Sequence, residues 1–187
     1  MLKTIDILDE SDKRLKIISK EVSFPLTKED KKIIKDMLKY LKDSQIKELS
    51  EKYDLRPGMG LSAIQLGIPK RYFVIVEETT KEGDTEQSFK NYVVVNPKII
   101  SHSEEMIYAE FGEGCLSVNR EVEGLIPRYA RITIEAYDEN GKKIYIRGRE
   151  EVSIAIQHEI DHLNGILFVD RIDKDNPYKY ENTMRSI

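Results

Sequence analysis

Hydrophobic residues recur at helical spacing in the first quarter of the chain. Thr27 and Asp30 resemble a capping box with Asp in place of Glu or Gln, which predicts the start of a helix. A shorter helix is predicted from Ile46 to Tyr53, and the segment 54–60 (DLRPGMG) should end it because proline and glycine interrupt helices. The apolar positions that define the first helix are Ile33, Ile34, Met37, Leu38 and Leu41.

The middle of the chain has patterns typical of strands. Residues 72–76 (YFVIV) form a short apolar run that suits a buried strand. A second strand is predicted from Tyr92 to Ile100, with Pro97 interrupting it. Between them, residues 77–91 are polar and charged, and we expect an exposed loop or hairpin tip rather than a linker between domains.

A hairpin and a late helix complete the pattern. Residues 131–137 (RITIEAY) alternate between apolar and polar, Asn140-Gly141 is a strong turn signal, and residues 143–147 (KIYIR) alternate back. A helix should then run from Glu150 to Gly165, which would be its C′ residue. This order predicts an α+β fold, with small antiparallel or mixed β-sheets around a central, buried C-terminal helix and further helices at the N-terminus. We expect residues 1–187 to form one domain.

The composition excludes several classes of protein to which this chain could belong. Of 187 residues, 40% are hydrophobic, which is enough for a core, and the net charge of -4 argues against a general nucleic-acid binder. Cys115 is the only cysteine, so an internal disulfide is impossible and a reducing compartment is expected. The N-terminus has no secretory signal and no apolar run is long enough to cross a bilayer. We therefore expect a cytoplasmic protein with no membrane partner.

The strongest chemical signal lies within the late helix. Residues 157–163 (QHEIDHL) contain His158, Glu159 and His162 in the pattern H-E-x-x-H. Histidines at positions i and i+4 share a helical face, so both can bind one ion while Glu159 addresses a water molecule. The apolar residues around the helix predict that it is buried. Two hydrogen-bonded core histidines beside a salt-bridged glutamate are the alternative, but burial makes unpaired polar groups costly.

A third metal ligand is needed, and Cys115 in the segment 113–117 (EGCLS) is the best candidate. A thiolate is a strong soft ligand and would leave a fourth position open. A cysteine nucleophile is the rival interpretation, but it would leave one histidine and Glu159 unexplained. His102 lies among polar residues and is expected at the surface, whereas Asp161 is expected to support the site without binding metal.

A glycine-containing segment is the third motif. Residues 58–65 (GMGLSAIQ) end in Gln65, whose amide could polarise a carbonyl oxygen. Taken alone, Gln65 is more often a hydrogen-bonded structural amide, and the glycines can indicate only a turn.

The three motifs in this order resemble the peptide deformylase family, which shows G-x-G-L-x-A-x-Q, E-G-C-L-S and Q-H-E-x-D-H-L segments. All three match in full at residues 58–65, 113–117 and 157–163. The charged insert at residues 77–91, residues 118–128 (VNREVEGLIPR) and the short tail after Ile172 are similar to the Gram-positive-type (type 2) branch. The resemblance covers nearly the whole chain and implies that it is one catalytic domain.

The resemblance implies removal of the formyl group from the N-terminal formyl-methionine of nascent polypeptides. It implies Fe²⁺ as the metal, with Zn²⁺, Ni²⁺ or Co²⁺ able to substitute. It implies that Glu159 is the general acid/base, while Gln65 and the Leu116 backbone N–H stabilise the oxyanion. Formyl-methionyl peptides are the implied partners, with transient ribosome association and no direct nucleic-acid binding.

The implied substrate site uses an extended peptide laid against a strand edge. Its residues would be Met59, Gly60, Leu61, Ile154 and Ala155, together with the His158 ring; plain core packing is the alternative for Ile154 and Ala155. Glu113 and Arg128 are expected to form an ion pair beside the metal loop, the segment 113–117 that carries Cys115, or else a solvated surface pair. Two other functions remain open from the residues alone: an H-E-x-x-H zinc endopeptidase, and a module in which a metal only holds the fold.

Overall fold

A computed structural model describes residues 2–187 and contains three α-helices. Helix α1 spans Lys28–Ser44, α2 spans Lys47–Tyr53 and α3 spans Glu150–Leu163. Thr27 caps α1, because its side chain accepts a hydrogen bond from the Asp30 backbone N–H. Gly165, at φ +73°, follows the end of α3. All three helices thus confirm the predicted positions.

Within the described residues 2–187, eight strands form two sheets. They are β1 (Gly60–Ser62), β2 (Tyr72–Glu78), β3 (Phe89–His102), β4 (Met106–Tyr108), β5 (Arg128–Tyr129), β6 (Arg131–Tyr137), β7 (Lys143–Arg149) and β8 (Arg185–Ser186). The first sheet has the order β1-β2-β3-β6-β7 and is antiparallel throughout. The second has the order β5-β4-β8, in which β4 pairs antiparallel with β5 and parallel with β8. The α+β prediction with antiparallel and mixed sheets is confirmed.

The five-stranded sheet separates two apolar clusters. Alternate residues of β2 point to opposite faces. Tyr72, Val74 and Val76 pack in the cluster that includes α1. Phe73 and Ile75 pack in the cluster that includes α3. The run YFVIV is therefore buried on both faces, as its continuous hydrophobicity predicts.

Two strand boundaries differ from the prediction. The segment 77–91 is a hairpin connection, but β2 extends into it to Glu78 and β3 begins at Phe89, so its tip is shorter than expected. Strand β3 also runs on to His102, beyond the predicted Ile100, and the predicted interruption at Pro97 is confirmed as a shift of register between Val95 and Lys98. An irregularity at this point tolerates proline, because proline has no backbone N–H to donate.

The short strands β1, β4, β5 and β8 had no sequence signal, since two or three residues show no periodicity. Four 3₁₀ helices accompany them, at Thr4–Asp6, Lys13–Lys16, Ala63–Leu66 and Phe168–Arg171. Within residues 2–187, no helix combines the length and the apolar character that crossing a bilayer requires.

Candidate metal centre

Helix α3 directs two histidines toward one point. His158 and His162 lie one helical turn apart, so their rings leave the same face, and both are buried. Their Nε2 atoms are 3.2 Å apart. The Sγ atom of Cys115 lies 3.3 Å from Nε2 of His162, and the three ligand atoms all lie within 4.8 Å of one another. The structure brings together the three residues that the sequence predicted as metal ligands.

The spacing of these atoms fits a bound metal ion. Tetrahedral coordination with ordinary metal–nitrogen and metal–sulfur bonds places two nitrogens about 3.3 Å apart and nitrogen about 3.6 Å from sulfur. The two observed separations, 3.2 and 3.3 Å, are close to these values. The other ring nitrogen of His158 donates to Glu113, at 2.8 Å, which leaves its Nε2 lone pair free for a metal. Two nitrogens and one sulfur form a donor set that suits iron, zinc or a neighbouring transition metal.

The loop that carries Cys115 is held by an arginine that sequence analysis missed. One Nη atom of Arg56 donates to the carbonyls of Cys115 and Val118, both at 3.0 Å. The other donates to the carbonyl of Leu116 at 3.2 Å and also to the side chain of Asn119. A guanidinium has five N–H donors in a fixed plane, so it can fix several carbonyls at once. Arg56 lies within the segment DLRPGMG, where the only signal was a chain break.

A buried chain of charges supports His158. Arg128 donates from Nε and Nη2 to the two carboxylate oxygens of Glu113, at 2.6 and 2.9 Å. Its remaining Nη donates to Asp161 at 2.6 Å, and Arg171 binds the same Asp161 carboxylate. Arg128 is only 1% exposed. The predicted ion pair between Glu113 and Arg128 is therefore buried, and Asp161 supports the site without joining the metal ligands.

These contacts determine the protonation of the site. Burial alone would raise the pKa of Glu113, but hydrogen bonds from Arg128 and His158 outweigh it and lower this pKa from 4.5 to about 2. Burial alone would lower the pKa of His158, but its contacts with Cys115 and Glu113 raise it well above the ordinary value. Burial lowers the pKa of His162. Cys115 and Glu113 thus favour a positive charge beside His158, and a metal cation bound at Nε2 would supply it in place of a proton.

Glu159 faces β1 beside the three ligands. Its Oε2 accepts a hydrogen bond from Ser62 Oγ at 2.7 Å. Burial raises the pKa of Glu159 to about 7, so this carboxyl can both accept and donate a proton near neutral pH. Gly60 lies so close that a β-carbon there would come within 2.3 Å of Glu159 Oε1. The absent side chain at Gly60 is what leaves room for this carboxylate.

Gln65 and Leu116 lie at the same centre. Gln65 is 1% exposed, and its Oε1 accepts from the Ser62 backbone N–H at 2.8 Å. Its Nε2 donates to Ser117 Oγ at 3.1 Å and lies 3.7 Å from Cys115 Sγ. The amide is therefore held in one orientation with its nitrogen toward the metal loop. Leu116, the residue after Cys115, lines the adjoining cavity.

A cavity of about 460 Å³ opens beside Cys115 and His158, two of the three candidate ligands. Four of the five predicted substrate residues line it: Met59, Gly60, Ile154 and Ala155. Leu61 does not, because its fully buried side chain packs with α1 and β2 on the other side of β1. The wall also contains Phe111, which is 96% exposed, and Ile187, neither of which sequence analysis proposed. His102 is exposed and stacks on Tyr129 away from this cavity, as expected of a surface residue.

Comparison with known proteins finds relatives that are named peptide deformylases. The family model for polypeptide deformylase matches residues 4–178. Peptide deformylase 2 of Bacillus anthracis is 46% identical over 178 residues, which cover 95% of this chain and 94% of the relative. Peptide deformylase of Halalkalibacterium halodurans is 49% identical over 182 residues, or 97% of each chain.

Solved structures agree with the sequence relatives. Peptide deformylase from Thermus thermophilus superposes with a TM-score of 0.73 at 30% identity, over 92% of this chain and 87% of that one. Peptide deformylase from Thermotoga maritima gives a TM-score of 0.67 at 32% identity, over 89% of this chain and 96% of that one.

Proposed function

This chain belongs to the peptide deformylase family, whose members are metalloenzymes that remove the N-formyl group from nascent chains, and from that premise we propose how its own residues perform the reaction. Nothing in the comparisons supports the zinc endopeptidase alternative. The single observation that carries the proposal is the convergence of Cys115, His158 and His162 beside Glu159 and an open cavity.

We propose that Cys115, His158 and His162 hold Fe²⁺ and that Zn²⁺, Ni²⁺ or Co²⁺ can replace it. One thiolate and two imidazoles suit all four ions. When bound, the metal supplies Lewis acidity that polarises the formyl oxygen and makes water a stronger acid. Glu113 fixes the ring of His158 from the far side, so the ligand is already oriented when the ion arrives.

Glu159 is the proton carrier in this proposal. Its carboxylate takes the proton of the attacking water and delivers it to the amine that leaves when the formyl C–N bond breaks. A pKa of about 7 suits both transfers. Ser62 holds one oxygen of this carboxylate and leaves the other, Oε1, directed toward Gly60.

Gln65 and Leu116 would bind the oxygen of the formyl group. The Gln65 amide nitrogen carries two hydrogens: one binds Ser117 Oγ, and the other makes only a long contact, 3.7 Å, with Cys115 Sγ that a substrate oxygen could replace. The second hydrogen and the backbone N–H of Leu116 can donate to the negative charge that develops on the formyl oxygen. Because Arg56 holds the carbonyl of Cys115, which lies in the same planar peptide unit as the Leu116 N–H, this donor has a fixed orientation.

The formyl-methionyl peptide would extend along β1. This strand is at the edge of the five-stranded sheet and pairs only with β2 there, so its other edge can accept a peptide. Met59, Ile154 and Ala155 would line the pocket for the methionine side chain, Gly60 would allow close approach, and Leu61 would contribute only its backbone.

We also propose that residues 1–187 act as one catalytic domain of the Gram-positive-type branch. Nascent chains are made in the cytoplasm, which is therefore the proposed location, and transient association with ribosomes would give access to them. We retain the proposal that the protein does not bind nucleic acid directly, because its net charge is -4.

The test is formate release from formyl-Met-Ala-Ser by anaerobically purified protein, with metal analysis of the same sample. We expect release that stops on chelation and returns when Fe²⁺ is added back. A chelated control with Mg²⁺ added back should stay inactive, because this ion prefers oxygen ligands. Metal-loaded protein that cleaves internal peptide bonds but releases no formate would refute the proposal.

A further inference from the structure

Strand β8 ends at the substrate cavity. It pairs in parallel with β4, and Ile187 continues the ladder by donating its N–H to the carbonyl of Tyr108 at 3.0 Å. The carbonyl of Ile187 accepts from the N–H of Glu110 at 2.9 Å. Ile187 is thus hydrogen-bonded to the end of β4 and to the start of the loop 109–114, which leads to Cys115. In the sequence, Ile187 is far from this loop.

The side chain of Ile187 is apolar and lies in the cavity wall. It packs against a buried cluster formed by Ile107, Ala130 and Ile154, and it lines the same cavity as His158. Ile154 precedes His158 by one helical turn, so the two side chains share a face of α3. Ile187 therefore adds to the apolar surface that begins at Ile154 beside the metal ligands.

Two ion pairs help to hold β8 in place. Arg185 donates from Nε to Glu105 at 2.9 Å, and one of its Nη atoms lies 3.0 Å from Glu150. These side chains are partly exposed, so each pair contributes little to stability. The backbone ladder and the packing of Ile187 are the stronger contacts, and they place its side chain at a defined position in the wall.

We propose that Ile187 is a specificity-determining residue, whose side chain forms part of the pocket for the apolar side chain of the substrate's first residue. This inference rests on the proposed function. A long, unbranched side chain such as methionine would bury apolar surface against Ile187 and Ile154, whereas an alanine side chain is too short to reach that wall. Ile187 should therefore contribute to binding of formyl-methionyl peptides and contribute little to binding of formyl-alanyl peptides.

The test compares two substrates on the metal-loaded enzyme. Ile187→Ala should lower kcat/KM for formyl-Met-Ala-Ser about tenfold, and kcat/KM for formyl-Ala-Ala-Ser less than about twofold. The conservative Ile187→Val should lower kcat/KM by about twofold to threefold on formyl-Met-Ala-Ser and leave it unchanged on formyl-Ala-Ala-Ser, so the same contrast tests the proposal if Ile187→Ala fails to fold. Ile100→Ala is the matched control, because this isoleucine of β3 is 49% exposed and does not line the cavity.

The outcomes separate the two proposals. Equal losses on both substrates would show that Ile187 only supports the fold or the loop 109–114, and would overturn the inference. Unchanged kinetics of Ile187→Ala on formyl-Met-Ala-Ser would overturn it as well. If wild-type enzyme releases formate normally in either case, the proposed function stands. No formate release by metal-loaded wild type would instead overturn the proposed function, and the inference with it.

Discussion

Replacing Arg128 should destabilise the protein more than the loss of any surface ion pair would. Arg128→Met keeps much of the side-chain volume but leaves Glu113 and Asp161 buried without their shared cation. The lowering of the pKa of Glu113 from 4.5 to about 2 corresponds to about 3 kcal/mol net of the cost of burial, and Arg128 supplies the largest favourable contribution, ahead of His158. Removing one partner of a buried ion pair costs about 3–5 kcal/mol in general, which agrees with the value obtained from the pKa of Glu113.

The assay is thermal or urea unfolding of the metal-loaded proteins at one fixed metal concentration. For a domain of this size, a loss of about 3 kcal/mol should lower Tm by about 6 to 12 °C. Arg171→Met is the matched control. Arg171 binds the same Asp161, but its side chain is 38% exposed and Arg128 remains as partner, so about 1 kcal/mol or less should be lost. An Arg128→Met protein as stable as Arg171→Met would refute the reasoning.

The destabilisation should also depend on pH. Because the pKa of Glu113 is lower in the folded protein than its ordinary value of 4.5, its contribution is complete above pH 4.5 and is lost as pH falls toward 2. The difference in unfolding free energy between wild type and Arg128→Met should therefore be largest near neutral pH and shrink below pH 4.5. A constant difference across this range would mean that lost packing, not the lost charge, causes the effect.

Four further predictions concern the site itself. Cys115→Ser should lose metal to a chelator much faster than wild type, as measured by metal analysis after dialysis; equal retention would exclude this ligand. Glu159→Ala should keep its metal but lose at least about a hundredfold in kcat for formate release, the usual scale for a lost general base. Gly60→Ala should also lower kcat, because its β-carbon would displace the Glu159 carboxylate, while metal content stays at the wild-type level. Arg56→Ala should both lower kcat and speed metal loss, because it removes the hydrogen bonds that hold the carbonyls of Cys115 and Leu116. If kcat and the rate of metal loss stay at the wild-type values, these hydrogen bonds are not needed for the site.

Local patterns in the sequence predicted the elements that depend on neighbours in the chain. The i, i+4 spacing of His158 and His162 specifies a shared helical face wherever that helix lies, because helical geometry repeats every 3.6 residues. The cap at Thr27 and the turn at Asn140-Gly141 are local in the same sense, and the structure confirms each element they predicted. Chemistry extended the prediction to Cys115, since two imidazoles and a carboxylate base need a third ligand.

Only the tertiary structure decided where distant residues meet. Arg56 binds the metal loop across a long stretch of chain, Asp161 and Arg171 extend the Glu113–Arg128 pair, and Ile187 enters the cavity wall beside Ile154. Each contact depends on how sheets and helices pack, and no period or motif in the sequence around Arg56, Arg171 or Ile187 indicates its partner. The short strands β1, β4 and β8 also depend on tertiary packing, because two or three residues become a strand only when a neighbouring strand offers hydrogen bonds. The spacing of residues along the chain therefore determined the two candidate ligands on α3, and packing determined which residues hold and enclose them.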